Sequence, residues 1–133
     1  MAFQATDNET RASRVYVIPL AGQLPVPREQ WIPITGASEL SRDPVWAPAG
    51  PFLYFTSERD GFRCLWARRL DPATQTPQGG AFPVQHFHTT RLALSNFAGS
   101  GNIISLSAGG NRPVFALTET TGNIWLEDVK RAQ

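Results

Sequence analysis

The chain has 133 residues, of which 41% are apolar and 17% charged, and its formal net charge is +1. This composition excludes a disordered chain and a coiled coil, and the near-zero charge argues against binding steered by nucleic-acid phosphates. The 11 glycines and 11 prolines exclude long uninterrupted helices, so we expect a single turn-rich domain that favours β-structure.

The first third of the chain contains three short strand candidates. Residues 1–13 are polar and show no period, which predicts a flexible arm. β-Branched and aromatic residues then predict strands at 15–20 and 31–35, separated by a proline-rich connection. A third candidate, residues 45–47, lies between prolines and is followed by Gly50.

The middle of the chain carries the strongest local signal. Two apolar runs, residues 52–57 and 63–70, flank the segment Glu58-Arg59-Asp60-Gly61. An Asp-Gly pair between two such runs is typical of a β-hairpin, because glycine accepts the positive φ that the turn requires. We expect a polar loop at 71–80 and a further strand at 82–88.

The last third of the chain repeats this arrangement. Strands are predicted at 102–110, 112–122 and 123–129, followed by a charged tail at 130–133. No helix of three turns fits, and only residues 90–95 favour one short helical turn. The sequence therefore predicts an all-β chain of about nine strands.

An internal repeat links the middle of the chain to its last third. The turn SERDG recurs as TETTG 61 residues later, and Trp66 in the strand that follows recurs as Trp125 at a spacing of 59. The segment VWAPAG likewise recurs as ISLSAG. A fixed period marks a supersecondary unit that stacks on its neighbours. The unit predicted here is a four-stranded antiparallel meander, which is the blade of a β-propeller.

The segment DPVWAPAGPFLYFTSERDGFRCLWARRLD resembles the repeat of bacterial PD40 propellers, which are relatives of the TolB propeller. The resemblance extends over residues 14–129 and is to the C-terminal portion of such propellers. It departs from the family at Ala47 and Ala49, which replace a serine and an aspartate of the motif. The resemblance implies a partial β-propeller between the arm and the tail, with about two of the family's roughly six blades.

A two-blade arc leaves blade faces and strand edges uncovered, which makes a free monomer prone to aggregation. We therefore expect a non-catalytic structural and protein–protein interaction module that either self-assembles, with a homotrimer as the candidate, or docks as an accessory subunit of a larger complex. Two alternatives stay open: binding of a small ligand or glycan at blade junctions, and sensing within a cytoplasmic regulator. We expect no nucleic-acid partner because the net charge is near zero, and no membrane span because no stretch approaches the roughly 18 apolar residues of a span. We expect a cytoplasmic location because the first residues also lack the apolar segment of a targeting signal.

His86 and His88 are the leading candidates for a binding site. Two residues apart on a predicted strand, they point to one face, where they can share a metal or frame an anionic group with Arg91. Two ligands are half a metal site, and we expect no cysteine or carboxylate to complete it, so neither a metal nor another cofactor is predicted. Trp31 is a further binding candidate, as a stacking residue between blades. Cys64 is expected to be buried without a base beside it, and no catalytic residues are predicted.

Overall fold

The computed structural model describes residues 1–20, 24–88, 92–94, 106–110, 112–119 and 121–122. Within these ranges the chain forms eleven β-strands and one short 3₁₀ helix, Arg28–Gln30, and no α-helix. The prediction of an all-β fold is therefore confirmed. No helix in these ranges is long and apolar enough to cross a membrane.

The first sheet has three antiparallel strands rather than the two that the sequence indicates. They are β1 (Ala2–Thr6), β2 (Ser13–Val17) and β3 (Ile32–Pro33), in the order β1-β2-β3. β1 and β2 form a hairpin in which Phe3 is opposite Tyr16. The additional strand is β1, which lies at the edge of the sheet.

The N-terminal residues that were expected to form a flexible arm belong to this sheet, so that prediction is wrong. The rings of Phe3 and Tyr16 stack with their centroids 5.8 Å apart, and Ala2 packs against the main core. Asp7 holds the turn between β1 and β2, because its Oδ1 accepts two backbone N–H groups, one of them from Thr10 at 2.8 Å. Tertiary contacts and a capped turn thus order a segment whose polar composition does not indicate a strand.

The second sheet is a four-stranded antiparallel meander, as predicted. It runs in the order β4-β5-β6-β7, with β4 at Ser41–Trp46, β5 at Phe52–Ser57, β6 at Cys64–Leu70 and β7 at Pro77–Gln85. The hairpin between β5 and β6 turns at Gly61, whose φ is +89°. β7 begins inside the predicted polar loop, because Arg69 and Leu70 continue to pair with its first residues.

The remaining described strands form two further antiparallel pairs. These are β8 (Leu92–Leu94) with β11 (Leu117–Glu119), and β9 (Leu106–Gly109) with β10 (Arg112–Phe115). The β9–β10 pair lies within the strands predicted at 102–110 and 112–122, but a single strand over 112–122 is wrong, because β10 and β11 are separate strands that pair with different partners. The helical turn predicted at 90–95 is wrong where the chain is described, because β8 pairs instead with a strand far along the chain. The strand predicted at 123–129 lies outside the described residues.

The main core lies between the first and second sheets. Val15 and Val17 of β2 pack with Phe55 of β5 and with Cys64 and Trp66 of β6, and all five are buried. Burial alternates along β2, whereas the first four residues of β6 are buried one after another. Because successive strand residues point to opposite faces, β2 is covered on one face and β6 on both.

Candidate functional site

The Asp-Gly turn of the second sheet positions the first two residues of a polar cluster. Asp60 lies in this turn, and the Gly61 N–H donates to the Glu58 carbonyl at 2.9 Å, which closes the hairpin. Ser57 of β5 pairs with Cys64 of β6 across the turn. Cys64 is therefore the first strand residue after the turn and lies close to Asp60.

The end of β7 brings two histidines to the same place. β7 is antiparallel to β6, so its last residues are level with the beginning of β6. Just beyond the strand, the Phe87 N–H donates to Cys64 Sγ at 3.3 Å. His86 and His88 precede and follow Phe87, and both rings reach Asp60 in the turn.

Side-chain atoms of Asp60, Cys64, His86 and His88, which we call the Asp-Cys-His-His cluster, converge on one point. His86 Nδ1 and His88 Nε2 are 3.0 Å apart, and Asp60 Oδ2 lies 3.0 Å from the first and 2.8 Å from the second. One donor atom from each of the four residues, including Cys64 Sγ, lies within 4.8 Å of the others. Atoms of the kinds that coordinate transition metals thus face one another from three segments of the sheet.

The cluster is buried on one side and open on the other. Cys64 is fully buried, whereas the side chains of His86 and His88 are 42% and 45% exposed. The Phe62 ring stacks on His88 at 4.9 Å between centroids, and Trp66 makes an edge contact with His86 at 5.5 Å. Aromatic packing therefore holds both imidazole rings at the surface.

The ionisation of Asp60 and Cys64 differs from that of free side chains. Burial alone raises the pKa of Asp60, but hydrogen bonds from His88 and from the Phe62 N–H, together with the charge of His88, bring the pKa below its ordinary value. Burial raises the pKa of the Cys64 thiol, against the hydrogen bond from the Phe87 N–H, and the Asp60 carboxylate raises it further. Asp60 is therefore a carboxylate at neutral pH and Cys64 a protonated thiol.

The residues predicted for this site are only partly those that meet there. His86 and His88 lie together as their spacing indicates, although both follow the end of β7, and their role in binding stays a prediction. The expectation that no cysteine or carboxylate joins them is wrong, as is the expectation that Cys64 has no base beside it, because the strand register brings Asp60 and Cys64 to the histidines. Arg91 lies outside the described residues.

Trp31, the remaining candidate, lies in a second surface region on the first sheet. Its ring makes edge contacts with Phe3 at 4.9 Å and Tyr16 at 5.5 Å, and we call these three residues the aromatic face. The Arg14 guanidinium lies 5.5 Å from the Tyr16 ring. The Arg28 guanidinium lies 5.9 Å from the Trp31 ring. The three rings are partly exposed and lie on the side of the sheet opposite to Val15 and Val17.

Comparison of the chain with protein-family models, curated proteins and solved structures finds no match. The resemblance to PD40 and TolB-like propellers thus rests on the residues quoted above.

Proposed function

We propose that this chain is a non-catalytic module of the β-propeller type, related to the PD40 and TolB-like propellers, that functions by protein–protein interaction. The aromatic face carries the proposal, because it is partly exposed while the opposite face of the same sheet forms the main core. A sheet with apolar side chains on both faces normally has a neighbouring layer on each side. We therefore expect a partner to pack on the aromatic face.

The side chains of the aromatic face are those found where interface binding energy is concentrated. Tyrosine, tryptophan and arginine each combine a large contact area with a polar group that pairs at the edge of an interface. Arg14 and Arg28 already lie over Tyr16 and Trp31. This arrangement orders the rings before binding, so that association costs less side-chain entropy.

The partner that we propose is a second copy of the chain. β1 is an edge strand within the described residues, and its register with β2 directs the backbone groups of Ala2, Gln4 and Thr6 away from β2. A strand from a neighbouring copy at this edge would give the first sheet four strands, as in the second sheet. We expect three copies in a head-to-tail ring, since about two blades from each copy supply the roughly six of related propellers.

Sedimentation equilibrium of the purified chain tests this proposal. We expect the wild type to sediment at three times the mass of one chain, and Tyr16→Ala and Trp31→Ala to shift the protein toward the mass of one chain. Phe82→Ala is the matched control, because Phe82 is an aromatic residue, 44% exposed, on β7 of the second sheet.

A wild-type chain that sediments as a single copy at every concentration contradicts self-association. In that case, affinity capture from native cells is the second test. Retention of a larger protein partner must depend on Tyr16 and Trp31, and the absence of any partner contradicts the whole proposal. A mass of three chains that is unchanged in both Tyr16→Ala and Trp31→Ala removes the aromatic face as the binding surface.

The non-catalytic part of the proposal rests on Cys64, the only cysteine of the chain. Its side chain is fully buried and its raised pKa keeps it protonated, which makes it a poor nucleophile. A turnover by the purified chain that disappears in His86→Ala or His88→Ala contradicts this part. The compartment proposed is the cytoplasm, which fractionation of native cells tests.

A further inference from the structure

The Asp-Cys-His-His cluster has no role in the proposed association, yet it brings four metal-ligand side chains within 4.8 Å of one another. We propose that this cluster binds one Zn²⁺ ion through Asp60 Oδ2, Cys64 Sγ, His86 Nδ1 and His88 Nε2. The bound ion cross-links the turn between β5 and β6 to the end of β7. This structural site is independent of the aromatic face and of the number of copies that associate.

Hydrogen bonds alone leave an unfavourable contact between the two imidazole nitrogens at the centre of the cluster. His86 Nδ1, His88 Nε2 and Asp60 Oδ2 lie 2.8 to 3.0 Å from one another, so all three separations are at contact distance. Each imidazole nitrogen carries at most one hydrogen and the carboxylate carries none. If both nitrogens donate to Asp60 Oδ2, the hydrogen bonds form, but two positively polarised N–H groups then lie side by side with their nitrogens 3.0 Å apart; if only one carries hydrogen, the lone pair of the other faces the carboxylate. A cation between the three atoms removes the conflict.

The separations of the two imidazole nitrogens and the carboxylate oxygen suit a tetrahedral ion after a small adjustment. Zinc holds nitrogen and oxygen ligands at about 2.0 to 2.2 Å and sulfur at about 2.3 Å, so neighbouring ligand atoms are about 3.3 to 3.6 Å apart. The imidazole and carboxylate atoms therefore need to separate by roughly 0.4 Å, a shift that rotation of half-exposed histidine rings permits. Cys64 Sγ lies on the buried side within 4.8 Å of the other three atoms and must come up to about 1 Å closer to them to act as the fourth ligand.

The types of donor favour zinc over other common ions. One thiolate, two imidazoles and one carboxylate are ligands that zinc accepts, whereas magnesium and calcium prefer oxygen donors. Four protein donors leave no open position, which is the arrangement of structural zinc sites. On binding, the metal replaces the proton of the Cys64 thiol, and the proton is released to solvent.

Backbone groups around the cluster orient two of the proposed ligands. The Phe87 N–H donates to Cys64 Sγ at 3.3 Å, and the Phe62 N–H donates to Asp60 Oδ1 at 3.5 Å, which leaves Oδ2 directed at the histidines. Such outer hydrogen bonds hold ligands in place and tune their affinity for a metal. The β5–β6 hairpin and the end of β7 thus position the ligand set without the ion.

Metal titration of the full chain tests the site. Chelator-treated protein is titrated with Co²⁺ under reducing conditions and followed by absorption, and with Zn²⁺ followed by calorimetry. We expect one ion per chain, visible absorption bands of tetrahedral cobalt, a near-ultraviolet band from thiolate-to-cobalt charge transfer, and displacement of Co²⁺ by Zn²⁺. We also expect the midpoint of thermal unfolding to rise with Zn²⁺, because the ion binds the folded chain.

Single substitutions assign the ligands. His88→Ala and Asp60→Asn are expected to weaken zinc binding more than about 100-fold, beyond what loss of an outer partner costs. Cys64→Ser is expected to remove the charge-transfer band. Glu58→Gln is the matched control, because Glu58 lies in the same turn but its carboxylate pairs with Arg63 at 2.6 Å, and this variant should bind zinc as the wild type does.

Two results overturn the proposal. One is a wild-type chain that gives no charge-transfer band with Co²⁺, and the other is a His88→Ala chain that binds zinc as tightly as Glu58→Gln. Because Cys64 is buried, circular dichroism must show that Cys64→Ser is folded; if it is not, the half-exposed His88 carries the test.

Discussion

One strand from each of the two sheets that form the main core, β2 and β6, differs from the other in how many of its faces are covered. In β6 of the second sheet, residues 64–67 are buried in succession, whereas burial in β2 of the first sheet alternates from residue to residue. β6 is therefore covered on both faces, and β2 on one face. Both strands are rich in apolar residues, so apolar content alone does not reveal the number of covered faces.

This difference separates two kinds of surface in one small chain. Strand β6, which is covered on both faces, carries the buried Cys64 at its turn end, where half-exposed polar side chains meet it. The singly covered sheet keeps aromatic side chains partly exposed on the far face. The first surface carries the ligand atoms of the proposed metal site, and the second carries the aromatic side chains of the proposed interface.

The largest expected effect comes from comparing one ring in each environment. Phe55 is fully buried and lies opposite Trp66 in the register, so Phe55→Ala should lower the free energy of unfolding by about 3 to 5 kcal/mol. Tyr16→Ala removes a partly exposed ring and should cost about 1 to 2 kcal/mol. Urea unfolding below the concentration of self-association measures both, and equal losses would show that the aromatic face is part of the core.

The indole N–H groups of two tryptophans, one in each sheet region, provide a second comparison of a buried with a partly exposed aromatic residue. Trp66 Nε1 is buried without a hydrogen-bond partner in the described part of the chain, whereas Trp31 Nε1 donates to the Val26 carbonyl at 3.1 Å. Trp66→Phe removes an unsatisfied donor, and Trp31→Phe removes a hydrogen bond worth about 1 kcal/mol. We therefore expect Trp66→Phe to cost less than Trp31→Phe, although Trp66 is the more buried residue. Denaturant midpoints in the reverse order contradict this prediction.

Two glycines of the second sheet provide the next smaller effect. Gly61 has a φ of +89° and open space around a Cβ, so Gly61→Ala should cost about 1 kcal/mol through backbone strain alone. Gly80 also has open space but no positive φ, and Gly80→Ala should change the free energy of unfolding by less than about 0.5 kcal/mol. Thermal unfolding of the pair measures the difference, and a larger cost at Gly80 contradicts it.

Much of the second sheet could be predicted because its information is local. The bounds of β5 agree with the prediction, and those of β6 differ by one residue, since an Asp-Gly turn between apolar runs sets both register and length. β1 and β8 were missed because neither has a strong pattern of its own. β1 forms a strand because it pairs with β2, and β8 forms a strand because it pairs with β11.

The candidate site could be predicted only in part for the same reason. His86 and His88 are neighbours in sequence, so their spacing indicates that they share a face. Asp60 and Cys64 join them only through the antiparallel register of β6 with β7, which spacing along the chain does not reveal. The sequence also does not indicate that Phe87 contacts Cys64, because the contact is made by the backbone N–H of Phe87 and not by its side chain.

The smallest expected effect concerns a carboxyl group at the junction of the two sheets. The Asp43 N–H donates to Gln4 Oε1 of β1 at 2.8 Å, and Asp43 Oδ2 accepts from Thr56 Oγ1 at 2.9 Å. Burial raises the pKa of Asp43, against the Thr56 hydrogen bond and the charges of Arg63 and Arg42. The folded chain therefore binds a proton here more readily than the unfolded chain, and this carboxyl stabilises the fold increasingly as pH falls through its raised pKa.

Asp43→Asn keeps an acceptor for Thr56, tolerates the φ of +53° and removes the buried charge, so it should raise the free energy of unfolding at pH 7 by up to about 0.5 kcal/mol. Asp71→Asn should do the opposite, because backbone N–H groups of Thr74 and Ala73 lower the pKa of Asp71 and stabilise its charged form. The stability that Asp71 contributes is present above the ordinary pKa of 3.8 and is lost as pH falls through the lowered value. Urea unfolding from pH 7 into acid should thus show the two variants on opposite sides of the wild type at pH 7 and both differences shrinking in acid. A loss of stability in Asp43→Asn at pH 7 would mean that burial does not destabilise the charged carboxyl more than its hydrogen bond and the neighbouring arginines stabilise it.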